Sequence, residues 1–427
     1  MQQYIGPIAN LRIGTDGTDV DIVFAMKKLS LLLLSLSLWL VAGVHTVVAQ
    51  PLSTGRWVGT WATAQQVPVR SYMPHNNNLS GCSVRQVVKV SIGGELLHLR
   101  LSNELSSEPL VIRSVYVATA LDSSDIVPRS AHYLRFGGSY KATIMPGKAI
   151  VSDPLPFALK PLQKLAITIN YTSAPDKPTV HMGSRTTSYI IKGVTNAHSS
   201  FKHAFKENHW FNIDAVDVYS STAQAIAIIG NSITDGKNST DNANNRWPDI
   251  LSETLHRKYK NTYTGVLNLG IGNNRVVVPG GFGENAKVRF YRDVLSRYGL
   301  SAVVIFEGVN DIGAAHGNSE TVARQLIEAY EDMVQRARAN HLRVYIGTIM
   351  PFKGAAYYSP FHEAARETVN EWIRKQRGNV DGILDFDELM RDAADPKRLK
   401  PSLQSDWLHP NPEGYRLMGE YAAEVLK

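Results

Sequence analysis

The chain is most constrained by one stretch in which a run of apolar residues ends in a small, polar turn. The residues from Ala225 to Ile229 indicate a strand that is buried on both faces, and Gly230-Asn231-Ser232 follows them directly. A helical pattern then begins at Trp247. Ser232 is therefore predicted at the carboxyl end of a strand in an α/β unit, where open parallel sheets bind their ligands. The alternative is a tight turn that needs a glycine and a serine for its backbone alone.

The same succession of strand, loop and helix continues from 222 to 427. It predicts an α/β fold in which about five parallel strands are joined by right-handed crossovers, a flavodoxin-like doubly wound parallel sheet. The predicted strands span 225–229, 264–269, 302–306, 342–349 and 382–386, and the predicted helices include 320–340, 360–377 and a last one from Pro412.

The stretch from 50 to 221 has instead the short runs of a β domain. One run from Val84 to Ile92 and a second from Glu95 to Leu101 flank Gly93-Gly94, which predicts a hairpin. Further runs span 110–118, 149–157, 164–171 and 187–191. A smaller β-sandwich or jelly-roll domain is thus predicted ahead of the α/β domain. Its Trp57 and Trp61 suit either carbohydrate binding or packing, and we favour packing.

Residues 26–49 have the pattern of a secretory signal peptide. Lys27 and Lys28 form its positive region, an apolar region runs from Leu29 to Val44, and Val47-Val48-Ala49 is a small-residue cleavage site. Met26 is then the expected start, residues 1–25 are an upstream extension, and the mature protein is secreted or periplasmic without stable membrane insertion. The alternative is an uncleaved membrane anchor, although the apolar run is short and is interrupted by serines.

Composition argues against several classes of function. The formal net charge of +7 over 427 residues is small, and no basic block follows Lys28, so no nucleic-acid partner is predicted. The single cysteine, Cys82, cannot form an intramolecular disulfide, and stability must therefore come from core burial. No His-x-x-x-His or clustered-cysteine pattern occurs, so we predict neither a metal site nor a cofactor.

Three further polar strings lie after predicted strands. They are Asn268-Leu269-Gly270-Ile271-Gly272-Asn273-Asn274-Arg275, Glu307-Gly308-Val309-Asn310-Asp311 and Ser405-Asp406-Trp407-Leu408-His409-Pro410-Asn411. Asp406 and His409 are three residues apart, so one turn can hold the imidazole against the carboxylate by one nitrogen. Asn310 offers either a neutral side-chain donor or a loop cap, and Asp311 is expected to brace its loop.

Taken in order, the four strings resemble the four sequence blocks of the SGNH (GDSL) hydrolases, a family of serine esterases and lipases. Asn231 stands where that family usually has Asp, and Asn273 stands where it has a glycine. Weaker matches at 59–64, 102–103 and 187–189 resemble the N-terminal region of a secreted bacterial subgroup with an N-terminal β domain. The resemblance implies a catalytic domain at 222–427 that follows the β domain at 50–221.

The resemblance also implies roles for particular residues. Ser232 would be the nucleophile, His409 the base and Asp406 the group that orients the imidazole. An oxyanion hole would be formed by the Ser232 N–H, a loop N–H near Asn273 and the Asn310 amide. The sequence leaves open whether Gly272 or Asn273 supplies the loop N–H, and it does not identify other substrate-binding residues.

The expected activity is hydrolysis of carboxylic esters through an acyl-enzyme. Secretion and the β domain favour an esterase that removes acetyl or other short acyl groups from carbohydrate. A lipase or lysophospholipase remains an alternative, which would need an apolar groove beside Ser232. A non-catalytic carbohydrate-binding protein is an alternative of another class, with the β domain as its support. The sequence fixes neither the acyl chain length nor the oligomeric state.

Overall fold

The computed structural model describes residues 54–74, 76 and 78–427. The predicted upstream extension at 1–25 and the predicted signal peptide at 26–49 lie outside these residues. Residues 54–427 form one compact unit. Its first part is built from β-strands, and its second part alternates strands with helices.

The first part consists of antiparallel strands and short 3-10 turns. The strands are β1 Arg56–Ala62, β2 Cys82–Lys89, β3 Gly94–Asn103, β4 Leu110–Thr119, β5 His132–Tyr133, β6 Ala142–Ile144, β7 Lys148–Val151, β8 Leu155–Leu159, β9 Lys164–Ser173, β10 Val180–His181, β11 Ser188–Lys192, β12 Phe205–Glu207, β13 Trp210–Phe211 and β14 Ile213–Ser220. The 3-10 turns are Arg70–Tyr72 and Pro128–Ser130.

These strands form two main sheets. In the described residues one sheet has the order β1-β14-β3-β7, with β8 also paired to β3, and the other has the order β12-β11-β2-β9-β4-β5, with β6 paired to β4. Leu97 and Leu99 of β3 are buried in the same hydrophobic cluster as Val84 and Val88 of β2. Two antiparallel sheets with a shared core make a β-sandwich, so the prediction for this part is confirmed.

The predicted hairpin at Gly93-Gly94 is wrong, because β2 and β3 belong to different sheets. β2 pairs with β9 and β11, whereas β3 pairs with β14, β7 and β8. Gly93 passes so close to the Leu159 carbonyl that a Cβ on it would lie 2.3 Å from that oxygen. The glycines therefore serve a crossing between two sheets and not a two-residue turn.

The two tryptophans considered for carbohydrate binding take part in packing. Trp61 is 6% exposed and meets Trp210 edge to face, with ring centroids 5.0 Å apart. Trp57 stacks on His98 with centroids 3.9 Å apart. Their contacts agree with the packing interpretation.

The second part contains the parallel strands and the described α-helices. Its elements are β15 Gln224–Gly230, α1 Ser232–Asp235, α2 Trp247–Arg257, β16 Thr264–Gly270, α3 Ala286–Phe290, β17 Leu300–Phe306, α4 Val309–Gly313, α5 Ser319–Ala339, β18 Arg343–Gly347, α6 Pro360–Lys375, β19 Gly382–Leu384, α7 Phe386–Met390 and α8 Pro412–Leu426. A π-helical turn at Tyr291–Leu295 continues α3, and a 3-10 turn at Pro401–Leu403 precedes α8.

The parallel sheet has the strand order β16-β15-β17-β18-β19. Numbered along the sheet's own strands, this is 2-1-3-4-5, the order of flavodoxin-like doubly wound folds, so the predicted fold class is confirmed. β15 lies in the interior of the sheet, and its residues from Ala225 to Ile229 are at most 1% exposed. Within the described residues, no helix is both long enough and apolar enough to cross a membrane.

The sandwich and the parallel sheet contact each other inside the compact unit. The Gly59 N–H of β1 donates to the Tyr298 carbonyl at 3.0 Å, and the Ser91 hydroxyl accepts from the Val266 N–H at 3.0 Å. Buried apolar residues of both parts belong to a single hydrophobic cluster. The β part is thereby held against the sheet, where it can contribute to a site.

Candidate active site

Ser232 begins α1, the single helical turn that follows β15. The side chain of Asn231 caps this turn by accepting a hydrogen bond from the Ile233 N–H at 3.0 Å. Asn at this position therefore provides the same kind of acceptor oxygen as the more usual Asp. Ser232 is 8% exposed, and its Oγ lies 2.8 Å from Nε2 of His409.

His409 and Asp406 lie on one tight turn before α8. His409 Nδ1 is 2.8 Å from Asp406 Oδ2, and Asp406 Oδ1 accepts the backbone N–H groups of Leu408 at 3.1 Å and His409 at 2.8 Å. Burial tends to raise the pKa of Asp406, but the hydrogen bonds from His409 and Leu408 outweigh it and hold the pKa well below its usual range. Asp406 is thus a carboxylate that fixes the ring with Nε2 directed to Ser232.

The loop after β16 offers a backbone donor at Asn273. The Gly272 N–H is already engaged, since it donates to Asp235 Oδ2 at 3.0 Å. The Asn273 N–H has no hydrogen-bond partner in the part of the chain that the structure describes. Asn273 has a φ of 54°, in the left-handed region that Asn adopts more readily than most residues. Of the two candidates left open by the sequence, Asn273 is the one with an available N–H.

Asn310 lies in α4, one turn after the end of β17. Its Nδ2 donates to the Asn274 carbonyl at 2.9 Å, and its Oδ1 accepts from the Tyr357 hydroxyl at 3.1 Å. The neighbouring Asp311 accepts backbone N–H groups from three consecutive residues, 276, 277 and 278. Asp311 therefore braces a loop as expected, but this loop is the one after β16 and not its own.

A cavity of about 360 Å³ connects these groups. Ser232, Asn273, Asn310 and His409 all line it, while Asp406 is not among its lining residues and reaches it through His409. The other lining residues are Gln66, Tyr72, Met182, Gly183, Arg185, Asn208, His209, Asp235, Lys237, Gly272, Phe282, Tyr357 and Leu408. The predicted residues therefore converge on one pocket at the carboxyl edge of the sheet.

Comparison with protein families gives a match over the second part of the chain. Residues 228–417 match the model of the GDSL-like Lipase/Acylhydrolase family. We call this matched range, 228–417, the GDSL-like domain. The matched range contains Ser232, Asn273, Asn310, Asp406 and His409. A comparison with curated proteins gave no match.

Solved structures of small GDSL-like and related enzymes are similar to about half of the chain. One is a lipolytic protein of the G-D-S-L family from Desulfitobacterium hafniense DCB-2, with 26% identity over 47% of this chain and 99% of that chain, and a TM-score of 0.36. A carbohydrate acetylesterase family member from Sinorhizobium meliloti has 16% identity over 48% of this chain and 97% of that chain, with a TM-score of 0.38. The acetyl xylan esterase AlAXEase has 19% identity over 48% of this chain and 100% of that chain, with a TM-score of 0.37.

The β-sandwich supplies a large share of the pocket beside the GDSL-like domain. Its contributions, which sequence reasoning missed, are Gln66, Tyr72, Met182, Gly183, Arg185, Asn208 and His209. No periodicity or motif marks these residues as a group, because they come from separate loops and short strands. The nearest sequence signal is the weak match at 187–189, which lies two residues beyond Arg185.

A buried pair links the sandwich to the GDSL-like domain. His181 Nε2 lies 3.0 Å from Asp235 Oδ1, and His181 Nδ1 lies 2.8 Å from the Ala64 carbonyl. A Cβ on Gly183 would lie 2.0 Å from Asp235 Oδ2, so this close approach requires glycine. Because the other carboxylate oxygen of Asp235 holds the Gly272 N–H, the β part is connected to the loop that carries Asn273.

Arg289 braces the sheet edge within the GDSL-like domain. Its guanidinium donates to the carbonyl of Gly230, the last residue of β15, at 3.1 Å and to that of Leu269, the penultimate residue of β16, at 2.8 Å. It also donates to the Asn274 side chain at 3.0 Å and pairs with Asp293 at 3.1 Å. A buried arginine with these partners fixes the separation between the Ser232 turn and the loop that carries Asn273.

The described residues contain no group of three or more His, Cys, Asp or Glu side chains arranged to hold a metal ion. The polar groups that line the pocket are hydroxyls, two imidazoles, amides, the Asp235 carboxylate and two cationic side chains. Burial lowers the pKa of His209. The charges of His181 and Arg185 also lower it, whereas the hydrogen bond to the Met182 carbonyl raises it. His209 contacts the Met182 carbonyl through Nδ1 at 2.6 Å and lies 3.9 Å from Glu207 through Nε2, whereas His409 contacts a serine hydroxyl and an aspartate.

Proposed function

We propose that this protein is a serine esterase in which Ser232, His409 and Asp406 hydrolyse a carboxylic ester. The observation that carries the proposal is the continuous hydrogen-bonded series from Ser232 Oγ through the His409 ring to Asp406, with 2.8 Å at each step. Ser232 and His409 of this series line the pocket. Nucleophile, base and orienting carboxylate in this arrangement are what acyl transfer requires.

The proposed mechanism has two acyl-transfer steps. His409 Nε2 accepts the Ser232 proton as Oγ attacks the ester carbonyl, and the imidazolium then donates that proton to the departing alcohol. A water molecule, deprotonated by His409, attacks the acyl-enzyme, and the acid leaves as Ser232 recovers its proton. The Asn273 N–H and the Asn310 amide would stabilise the oxyanion in both steps, together with the Ser232 N–H.

We also propose that the alcohol part of the substrate is polar, as in an acylated carbohydrate. Support comes from the pocket, where polar side chains such as Gln66, Asn208 and Lys237 accompany the apolar ones. The aromatic rings of Tyr72 and Phe282 lie edge to face at 6.4 Å and offer a surface for a sugar ring or a short acyl chain. A lipase would be better served by a continuous apolar groove. Export through the predicted signal peptide is part of the same proposal.

The test measures hydrolysis of p-nitrophenyl acetate, butyrate and decanoate, and acetate release from acetylated xylan. Wild type and Ser232→Ala are compared, with circular dichroism as the check that both are folded. We expect activity to be highest on acetyl groups, and Ser232→Ala to lower kcat by about three orders of magnitude or more.

Other outcomes would lead to different conclusions. Equal activity in wild type and Ser232→Ala would remove Ser232 from the mechanism. A strong preference for decanoate would favour the lipase alternative. Inactivity of the wild type on every ester, with binding to acetylated xylan, would favour the carbohydrate-binding alternative.

A further inference from the structure

Two cationic side chains line the pocket without an anionic partner. Arg185 and Lys237 share the cavity with Ser232 and His409, and neither forms an ion pair in the described part of the chain. The Arg185 Nε is buried and has no hydrogen-bond partner there. Leaving a buried donor unsatisfied is costly, which makes a guanidinium in this position a candidate for ligand binding.

Among the buried arginines that the structure describes, Arg85 donates to neutral oxygens of Thr168, Ser124 and Tyr116, whereas the others pair with carboxylates. Examples are Arg289 with Asp293, Arg297 with Asp214 and Arg366 with Glu363. The carboxylate that lines the same cavity, Asp235, and the carboxylate of Glu207 on β12 have other contacts. Asp235 contacts His181 and Gly272, and Glu207 lies 3.9 Å from the His209 ring.

The backbone holds Arg185 firmly at the pocket wall. Its carbonyl accepts the Asn242 N–H at 2.8 Å, and the preceding Ser184 carbonyl accepts from Arg246 at 3.4 Å. Arg185 has a φ of 50°, an unusual conformation for a residue other than glycine. These contacts come from the GDSL-like domain, so the loop between β10 and β11 is fixed relative to Ser232.

Lys237 lies in the second part of the chain, whereas Arg185 lies in the first. Lys237 lies two residues after the end of α1, and its backbone N–H donates to the Ser232 carbonyl at 2.9 Å. Its side chain is exposed at the pocket. Two segments distant in sequence thus bring positive charge to the same cavity as the nucleophile.

We propose that the pocket binds an ester that also carries a carboxylate, and that Arg185 and Lys237 hold that carboxylate. An acylated acidic sugar has this chemistry. A guanidinium can bind a carboxylate through two parallel hydrogen bonds, and a nearby ammonium adds charge without strict geometry. The inference rests on the proposed ester hydrolysis, because the carboxylate is recognised while the ester lies at Ser232.

The test uses pairs of esters in which one member has a free carboxylate and the other has the corresponding methyl ester. For a carboxylate in the alcohol part, the pair is 4-acetoxybenzoate and its neutral methyl ester; for one in the acyl part, the pair is mono-4-nitrophenyl adipate and its methyl ester. The readout is the ratio of kcat/KM for the anionic ester to that for the neutral ester. We expect wild type to prefer the anionic member of at least one pair by about tenfold. This preference should shrink between about 50 mM and about 500 mM salt.

Variants then assign the preference to residues. Arg185→Gln and Lys237→Gln should each lower this ratio by about tenfold, to about one. Arg185→Lys should retain part of the preference for the anionic ester. Arg113→Gln, which removes an exposed arginine on β4 that does not line the pocket, should leave the ratio unchanged. Lys237 is exposed, so its replacement tests the inference even if an Arg185 variant does not fold.

The outcomes separate this inference from the proposed function. Ser232-dependent hydrolysis with equal kcat/KM for both members of each pair would overturn the anionic subsite and leave the esterase intact. A preference that is insensitive to Arg185→Gln and Lys237→Gln would overturn it as well. Activity that does not depend on Ser232 would instead contradict the proposed function.

Discussion

The orientation of the Asn310 amide is set by its two neighbours. The Asn274 carbonyl accepts from Nδ2, and the Tyr357 hydroxyl donates to Oδ1. Burial raises the pKa of Tyr357, so its hydroxyl keeps the proton with which it donates. The second Nδ2 hydrogen has no acceptor among the described residues, so it is available to the oxyanion of the proposed mechanism.

Replacing Asn310 by Ala should therefore remove one oxyanion donor. We expect kcat on p-nitrophenyl acetate to fall by about two to three orders of magnitude, with a smaller change in KM, because the donor acts mainly on the charge of the transition state. Steady-state kinetics of the purified variant check this prediction.

Tyr357→Phe is the matched control, because it removes the hydroxyl that orients the amide and leaves the amide in place. Its kcat should fall by less than about tenfold. Wild-type kcat in Asn310→Ala would show that this amide does not serve the oxyanion.

At the residue scale, the sequence predicted a contact best when the two residues lie close together in the chain. Asp406 and His409 share one turn, so their spacing alone predicted that they meet. The assignment of the loop donor needed the structure, because the Gly272 N–H is taken by Asp235, a residue 37 positions away. Likewise, nothing local to Arg185 indicates that it lines the same pocket as Ser232.

At the element scale, Asp235 connects three segments of the chain. It ends α1, contacts His181 of β10 through one carboxylate oxygen, and holds the loop after β16 through the other. Both side chains of the pair are 2% exposed, so water cannot readily replace either contact. The pair thus positions the Asn273 N–H from a distance.

Asp235→Ala should release the loop that carries Asn273 without removing a group from the proposed triad. We expect kcat to fall on the order of a hundredfold, since a displacement of about 1 Å in a positioned group has such an effect. The KM for p-nitrophenyl acetate should change less than kcat, and both come from one set of initial-rate measurements.

Asp235→Asn is the conservative comparison. Its carbonyl oxygen can still accept the Gly272 N–H, and its amide can donate to His181 Nε2 while Nδ1–H donates to Ala64. We expect this variant to recover much of the kcat lost in Asp235→Ala. An equal loss in both variants would argue against a positioning role and for a need for the charge itself.

Element bounds in the α/β part were largely predictable, because long apolar periodicities dominate there. The predicted helix at 320–340 is observed at Ser319–Ala339. α3 and α4 were not predicted, since five-residue helices are too short to show a period. The hairpin error arose because alternation on both sides of two glycines does not reveal that a third segment, at Leu159, crowds the turn.

At the scale of the whole molecule, the join between the two parts is the feature that sequence patterns could not show. It depends on contacts between residues far apart in the chain, such as Asp214 of β14 and Arg297 beyond the π-helical turn, at 2.6 and 3.0 Å. Arg100 of β3 also pairs with Asp214. The short runs predicted the sandwich, and the alternation of strands and helices predicted the doubly wound sheet. Neither pattern indicated a charged cluster between them.

The free energy of unfolding should depend on the ionisation of Asp214. Burial alone would raise the pKa of this carboxyl, but the charges of Arg297 and Arg100 outweigh it and lower the pKa to about 2. A folded-state pKa below the unfolded value of about 3.8 means that the stabilisation is complete above that value. It is lost as the pH falls toward about 2.

Asp214→Asn tests this linkage, because it keeps the shape of the side chain and leaves the buried Arg297 without its counter-charge. We expect the free energy of unfolding at pH 7 to fall by about 3 kcal/mol, measured by urea titration with tryptophan fluorescence. The difference in free energy of unfolding between wild type and Asp214→Asn should narrow as the pH is lowered through about 4 toward about 2. The wild-type carboxyl becomes protonated in this range and is then uncharged like the Asn side chain. Asp395→Asn, which removes a partly exposed partner of Lys353, should change stability little at any pH. If the difference between wild type and Asp214→Asn stays constant over the acid range, the charge of Asp214 does not hold the two parts together, and their shared apolar core must do so.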